Sequence, residues 1–574
     1  MKRTFSALLA ALMLTGCGAK APAEIATATT TEATEPIVET VAETPAEIPY
    51  VSRYDAATLI TLSDEGILVD RLDSGADEDC VTITNDIIYY EDMETYASGN
   101  PYGEGEPEER HTAEEAAAHT VVNITKPGAY RVSGKLSAGQ IRIDLGADAY
   151  EEEDAVVELI LADADITCTV APAILFLNTY ECDGNWSEED AQAEVDTTAA
   201  GANLILEGSN KVSGSHVAKI FKDKEGEKKL WKQDGAIYSY MSMNVYGPGS
   251  LELTADNEGL DTELHLTING GNITIYSDND GINTNEDNVS VTTINAGNLT
   301  IFAGLGKEGD GIDSNGYLVI NGGNVLSCAK PISDAGLDSD KGSFVNGGTV
   351  IAMGSTMDWA ESESEQITMN LQFAQRQEAG SRITVTKEDG TEIFSFDTAG
   401  EHTRGFSGLV LFSAAFQQGE TYNVYIDGVQ MAYTGTDVGF GPGGFGGRPG
   451  GIPEGFQPGQ MPEGFEMPEG FDPSQMFGGE MLEGFDPSQF GGRGQRPEGG
   501  DRPMPEGFEG KERPEGMEWP EGMERPEGFE PGQMPEGFDP GQFGGRGEAV
   551  TTGEPQTGFY MNDKVNAFSG VSPI

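Results

Sequence analysis

Acidic residues gather around a glycine at four places in the middle of this 574-residue chain. The stretches are "ADNEGLDT" (255–262), "SDNDGINTNED" (277–287), "EGDGIDSN" (308–315) and "SDAGLDSD" (333–340), sharing Gly-[Leu/Ile]-[Asp/Asn] at Gly259, Gly281, Gly311 and Gly336. Stacked copies would bring Asp261, Asn283, Asp313 and Asp338 into one column. Neighbouring strands lie about 4.8 Å apart, and unpaired carboxylates at that distance repel by several kcal/mol when partly shielded from water. Calcium would relieve the repulsion, because it takes about six to eight oxygens from carboxylates, Asn amides and backbone carbonyls. The candidate ligands are Asp256, Asp261, Asp278, Asp280, Asn283, Asp310, Asp313, Asp334, Asp338 and Asp340. The competing reading is that Asp and Asn stand here because turns favour them.

Other chemistry is thin. His111, His119, His216, His265 and His402 are isolated, with no paired metal spacing and no Ser-His-Asp set. A polysaccharide lyase needs a base of lowered pKa, usually Lys or Arg, beside a uronate carboxylate. Residues 234–356 hold no Arg and only Lys307, Lys330 and Lys341, the last in an aspartate cluster that would raise its pKa. A glycoside hydrolase needs two carboxylates at a set distance, and nothing singles out a pair.

The elements that must position the acids follow from a repeat. Asn269, Asn295, Asn321 and Asn346 recur at intervals of 26, 26 and 25 residues, each preceded by an apolar residue (Ile268, Ile294, Ile320, Val345). Apolar positions resume four residues later at Ile273, Leu299, Val325 and Val350, with alternate residues such as Thr274 and Thr300 turned the other way. One such unit cannot bury itself, but stacked copies bury a continuous core. The expected fold is all-β: a parallel β-helix of about one coil per repeat over 51–356, with an antiparallel sheet closing its end over 357–435. The asparagines could form an internal hydrogen-bonded ladder, and the glycines after them allow a tight positive-φ turn. Tyr276 and Phe302 stack one coil apart and could receive sugar rings, or pack beneath a loop.

Around this core the chain changes material. Residues 1–17, "MKRTFSALLAALMLTGC", read as a secretory signal with too short an apolar run to span a membrane. They look like a bacterial lipobox in which Cys17 is lipidated. Residues 18–50 are Ala, Thr, Glu and Pro, a tether too poor in large apolar groups to pack. Residues 93–115 are an acidic insertion and 219–232 a Lys-rich loop. From 436 to 574, eight copies of Pro-Glu-Gly-Phe or Pro-Glu-Gly-Met suggest a disordered low-complexity tail. Cys168 and Cys182 could pair or remain free thiols. The net charge of -64 repels nucleic acid and attracts cations.

The stretches "GAYRVSGKL" (128–136) and "ANLILEGSNKVSG" (202–214), with the Asp-Gly-Ile and Ile-Asn-Gly-Gly coils at 280–283, 310–313, 320–323 and 346–348, complete a pattern. From about 55 to 435 the chain resembles the carbohydrate-binding, calcium-containing parallel β-helix proteins on the surface of Gram-positive anaerobes. That resemblance implies a pectate-lyase-like helix, calcium at the acidic corners, and plant cell-wall polysaccharide such as polygalacturonate or a cellulose-like glucan as partner. The sequence departs from the pattern at 93–115, at 219–232 and at Ala296, where Gly is replaced. Three functions stand open: a non-catalytic, membrane-anchored polysaccharide binder, a scaffold that uses calcium for rigidity, and a calcium-dependent lyase.

Overall fold

Strands follow one another because β-branched and aliphatic residues alternate with polar ones between glycine and asparagine turns. The computed structural model describes residues 38–40, 48–71, 80–91, 109–185, 187–221, 229–331, 333–355, 358–398, 405–436 and 554–574. Among these the chain is all-β with almost no helix: one five-residue helix, Ala113–Ala117, capped by Thr112 and Glu115, and a single 3-10 turn at Ala149–Glu151.

The repeats stack. Each turn of the chain contributes one strand to each of three faces, and each strand pairs in parallel with its counterpart one repeat later. Face A carries Ile174–Asn178, Gly235–Ser239, Glu258–Thr262, Ile282–Thr284, Ile312–Ser314 and Leu337–Ser339. Face B runs through Ala202–Glu207, Met243–Tyr246, the first halves of Leu266–Ser277 and Val291–Phe302, Tyr317–Ile320 and Gly342–Val345. Face C takes Ser209–Gly214, Ser250–Ala255, the second halves of those two long strands, Asn324–Cys328 and Thr349–Gly354. One side chain per strand enters the same internal column, as Ile237, Leu260, Ile282, Ile312 and Leu337 do, and all five are buried. The expected parallel stacking and internal core are present.

Two kinds of glycine hold the corners. Gly271, Gly297, Gly323 and Gly348 adopt φ of +96°, +100°, +86° and +84°, the turn expected after the asparagines. Gly281 and Gly311 are required for a different reason. A Cβ on Gly281 would overlap Ile301 Cγ2 and the Gly311 carbonyl. The asparagines do form a ladder: Asn295 Nδ2 donates to Asn269 Oδ1 at 2.9 Å, Asn321 to Asn295 at 2.9 Å and Asn346 to Asn321 at 3.0 Å. It is not the internal ladder expected, for Asn321 is exposed and the column rides the outer corner between faces B and C.

Several sequence expectations need correction. The region 358–435 does form a mainly antiparallel sheet that continues the last coil, with Thr349–Gly354 pairing with Phe406–Ser413. It is completed, however, from the supposed tail. Phe559–Tyr560 pairs with Thr421–Ile426, and Val565–Pro573 pairs with both Thr368–Gln377 and Val429–Ala432. Phe559, Met561, Phe568 and Val571 are fully buried there, so the last residues of the chain belong to the folded body. The intervening repeats at 437–553 lie outside the described residues. Part of the tether is also structured. Val38–Thr40 pairs with Glu392–Asp397 in the closing sheet, Ile48 N–H donates to the Asn269 carbonyl, and Ser52 and the Arg53 N–H donate to the buried Glu158. Residues 38–40 and 48–53 therefore touch the body from its closing sheet back to an early coil. The Lys-rich stretch is a two-stranded hairpin, Val217–Phe221 with Lys229–Gln233. Cys168 and Cys182 are both free.

Candidate functional site

Face A brings the acids together as their spacing predicts. Asp261 pairs in register with Asn283, Asn283 with Asp313, and Asp313 with Asp338, so the column is real. A second column runs beside it. The backbone N–H of Gly259 donates to the Asp280 carbonyl and that of Gly281 to the Asp310 carbonyl, which places Glu258, Asp280 and Asp310 one above another. Glu258 was missed by the sequence reading, although aligning the four stretches on their shared glycine sets it directly in line with Asp280 and Asp310.

The individual acids divide by what they touch. Asp280 accepts the Asp310 N–H at 2.7 Å, Asp310 accepts the Ala335 N–H, and Asp334 accepts the Gly309 N–H at 2.9 Å; these three staple adjacent turns. Asp256 is not part of the column. Its carboxylate takes Ser215 Oγ at 2.6 Å and His216 Nδ1 at 2.9 Å, and it is one of three acids, with Glu109 and Asp234, that keep the half-buried His216 protonated against its desolvation. Asp278 and Asp340 are exposed. At the far end Asp338 meets Asp358, an acid outside the repeat, whose Oδ2 accepts Ser339 N at 2.9 Å.

Three oxygens at the other end have no partner. Asp261 Oδ1 accepts the Asn285 amide at 2.6 Å, but Asp261 Oδ2, Glu258 Oε2 and Asn283 Oδ1 are buried without any donor. Asp261 is 0% exposed, Glu258 4% and Asn283 5%. A buried acceptor left unpaired is costly, more so when it is charged. Burial and the neighbouring Glu258 push the Asp261 carboxyl well up, and burial with Glu258, Asp313 and Asp310 does the same to Asp280. Burial, then Asp338 and Asp310, raise Asp313. Asp310 and Asp358 are each pushed up to about 7, burial again leading.

Two carboxylate oxygens and an amide oxygen, buried without donors on neighbouring strands of one face, are hard-oxygen ligands of the kind calcium accepts. The described residues contain no group of three or more His, Cys, Asp or Glu side chains placed to hold an ion. The fit therefore rests on this mixed oxygen set and not on a cage of carboxylates.

The aromatic pair has another role. Tyr276 and Phe302 are stacked, with ring centroids 5.6 Å apart and planes 13° from parallel. Phe302 is 4% exposed and packs with Leu326, Met353 and Leu409 under the closing sheet, so it cannot receive a sugar ring. Two of the three lysines of the coils are engaged away from the acidic column. Lys330 Nζ is bound by the carbonyls of Gly306, at 2.5 Å, and Lys307. Lys341 donates to the Glu188 carbonyl at 3.1 Å and lies 5.6 Å over the Tyr317 ring.

A family model described as "Carbohydrate-binding domain-containing protein" matches residues 118–399, which include all three faces and the acidic columns. A curated relative of the same description from Acetivibrio thermocellus is 31% identical over 155 residues, 27% of this chain and 44% of the relative. The chain thus spans less than half the length of the curated relative it matches. A solved structure described as a polysaccharide lyase-like protein from C. thermocellum, a gadolinium derivative, aligns over 51% of this chain and 94% of that one at 21% identity. Its TM-score is 0.31, too low to carry any argument.

Proposed function

We propose that this chain is a non-catalytic carbohydrate-binding protein built on a right-handed parallel β-helix, in which calcium stabilises face A. The observation that carries the reading is the trio of buried, donorless oxygens on Glu258, Asp261 and Asn283, inside the segment matched by the carbohydrate-binding family model. Bound there, calcium supplies positive charge to carboxylates that otherwise repel one another. Burial separates this inner position from any polymer. The open end of the column is different: Asp313 and Asp338 are half-buried and Asp340 is exposed, and a cation held there faces solvent and can meet a uronate carboxylate. An acidic protein could hold an acidic polysaccharide such as polygalacturonate in this way, while a neutral, cellulose-like glucan would not require the ion. Export and lipid anchoring through Cys17 remain part of this proposal. Cys17 lies outside the described residues, among which no helix is long and apolar enough to cross a membrane.

The test is a titration of the full chain with polygalacturonate and with neutral glucans, in calcium and in chelator, while following unsaturated uronide absorbance. Calcium-dependent binding without new absorbance supports the reading. New absorbance makes the protein a lyase, and melting that depends on calcium without affinity for any polymer leaves a rigid scaffold.

A further inference from the structure

The inner cation position is built against a lysine. Gly235 pairs in register with Glu258, and a Cβ on Gly235 would lie 2.5 Å from Asp261 Cβ, so the strand that follows Asp234 lies directly against both carboxylates. The N–H of Glu258 and the side-chain amide of Asn257 both donate to the Asp234 carbonyl, at 3.2 and 3.1 Å. Asp234 is itself buried, 8% exposed, and its Oδ2 lies 2.5 Å from Lys232 Nζ. Lys232 lies on Lys229–Gln233, the strand that leads into the face-A strand Gly235–Ser239. Burial works against its charge, yet Asp234, Glu258 and Asp261 all act to keep the ammonium protonated.

The charges then sum simply. Once the three acids ionise around a bound cation, Asp234, Glu258 and Asp261 bring three negative charges and Lys232, paired to Asp234, one positive charge, leaving two for the ion to balance. We infer that Lys232 is the residue that sets the charge of the inner position, held by Asp234 so that the site takes a divalent cation and binds it less tightly than three free carboxylates would. The inference rests on the cation reading above and adds its control: the ammonium and the ion compete for Glu258 and Asp261. Asp234 is the detent, since its carboxylate draws Lys232 away from the other two.

Two variants of the full chain pull in opposite directions. Lys232→Met keeps the length of the side chain and removes its charge, so calcium affinity by calorimetry rises about tenfold and terbium affinity rises further, as Coulomb attraction scales with ionic charge. Asp234→Asn releases the ammonium onto Glu258 and Asp261, and calcium affinity falls. Terbium luminescence sensitised by Tyr238, which pairs in register with Asp261, reports the inner position in particular. Lys232→Gln repeats the charge removal with a polar side chain should the Met variant fold poorly. A lysine that only supports the fold would lower affinity in both variants or leave both unchanged, and either outcome overturns the assignment while leaving the cation reading intact. A wild-type chain that takes up neither calcium nor terbium overturns the cation reading and this inference with it.

Discussion

Asp261 and Glu258 face one another with acceptors only, and this defines the chemistry of the site at the scale of single residues. Asp261→Asn removes a carboxyl that can ionise only against Glu258 and introduces an amide donor. The calcium-free chain should gain about 1–3 kcal/mol, the size of one relieved buried acceptor, and lose its calcium-induced rise in melting temperature. A fall in calcium-free stability would mean that the pair is already satisfied. The pH dependence has a definite sign. The carboxyls of Asp261, Asp280, Asp313, Asp310 and Asp358 are raised in the folded chain, the last two to about 7. Between about pH 4 and pH 7 the folded state then binds more protons than the unfolded one, and stability declines as pH rises through that window. Calcium-free melting should be higher at pH 5 than at pH 8, and calcium should raise the pH 8 value more. A flat calcium-free profile would count against the donorless column.

At the scale of elements, the repeat was legible because its signals are local. Gly-[Leu/Ile]-[Asp/Asn] fixed which acids share a column, and Ile-Asn-Gly-Gly fixed the turn, since each reflects a steric demand met within a few residues. Glu258 escaped because the shared motif marks the residue two after each glycine. The residue just before that glycine, Glu258, Asp280 and Asp310 in three of the four stretches, forms the second column. Asp358 escaped because it lies beyond the repeat and reaches the column only through the fold. Phe302 was misplaced for a related reason: an outward position on a strand is a surface only until another sheet covers it, and the covering residues are distant in sequence. The asparagine ladder offers a graded test. Asn295→Ala strands Asn269 Oδ1 below and Asn321 Nδ2 above, and should cost about 1–2 kcal/mol in denaturant unfolding. Asn346→Ala breaks one rung and the longer bond, 3.3 Å, that its Oδ1 accepts from the Glu365 N–H, so its cost should be somewhat smaller. Equal costs would show that the rungs act independently of position.

For the whole molecule, the closing sheet decides what can be removed. Tyr433 and Gln556 exchange backbone hydrogen bonds at 3.1 and 2.9 Å, and Gly435 bridges Ser569, so both ends of 437–553 are pinned side by side. Excising 437–553 and joining its ends with a short glycine-serine link should leave the melting temperature within a few degrees. Ending the chain at 436 strips Phe559, Met561, Phe568 and Val571 from the core, and since a single large core truncation costs about 2–5 kcal/mol, the sheet should not survive. Equal melting of the two truncations would remove the last strands from the folded body. Composition hid these strands: the repeats before them dominate the statistics of the region, and twenty ordinary residues at its end are easily absorbed into it.

The contact of Val38–Thr40 with the closing sheet gives the molecule a polarity. Val38–Thr40 and the residues that flank 437–553 share that closing sheet, while the first coils stand at the opposite pole. A lipid on Cys17 would therefore moor the protein by its closing sheet. The early coils, at the other pole, would be the part presented to whatever lies beyond the bilayer.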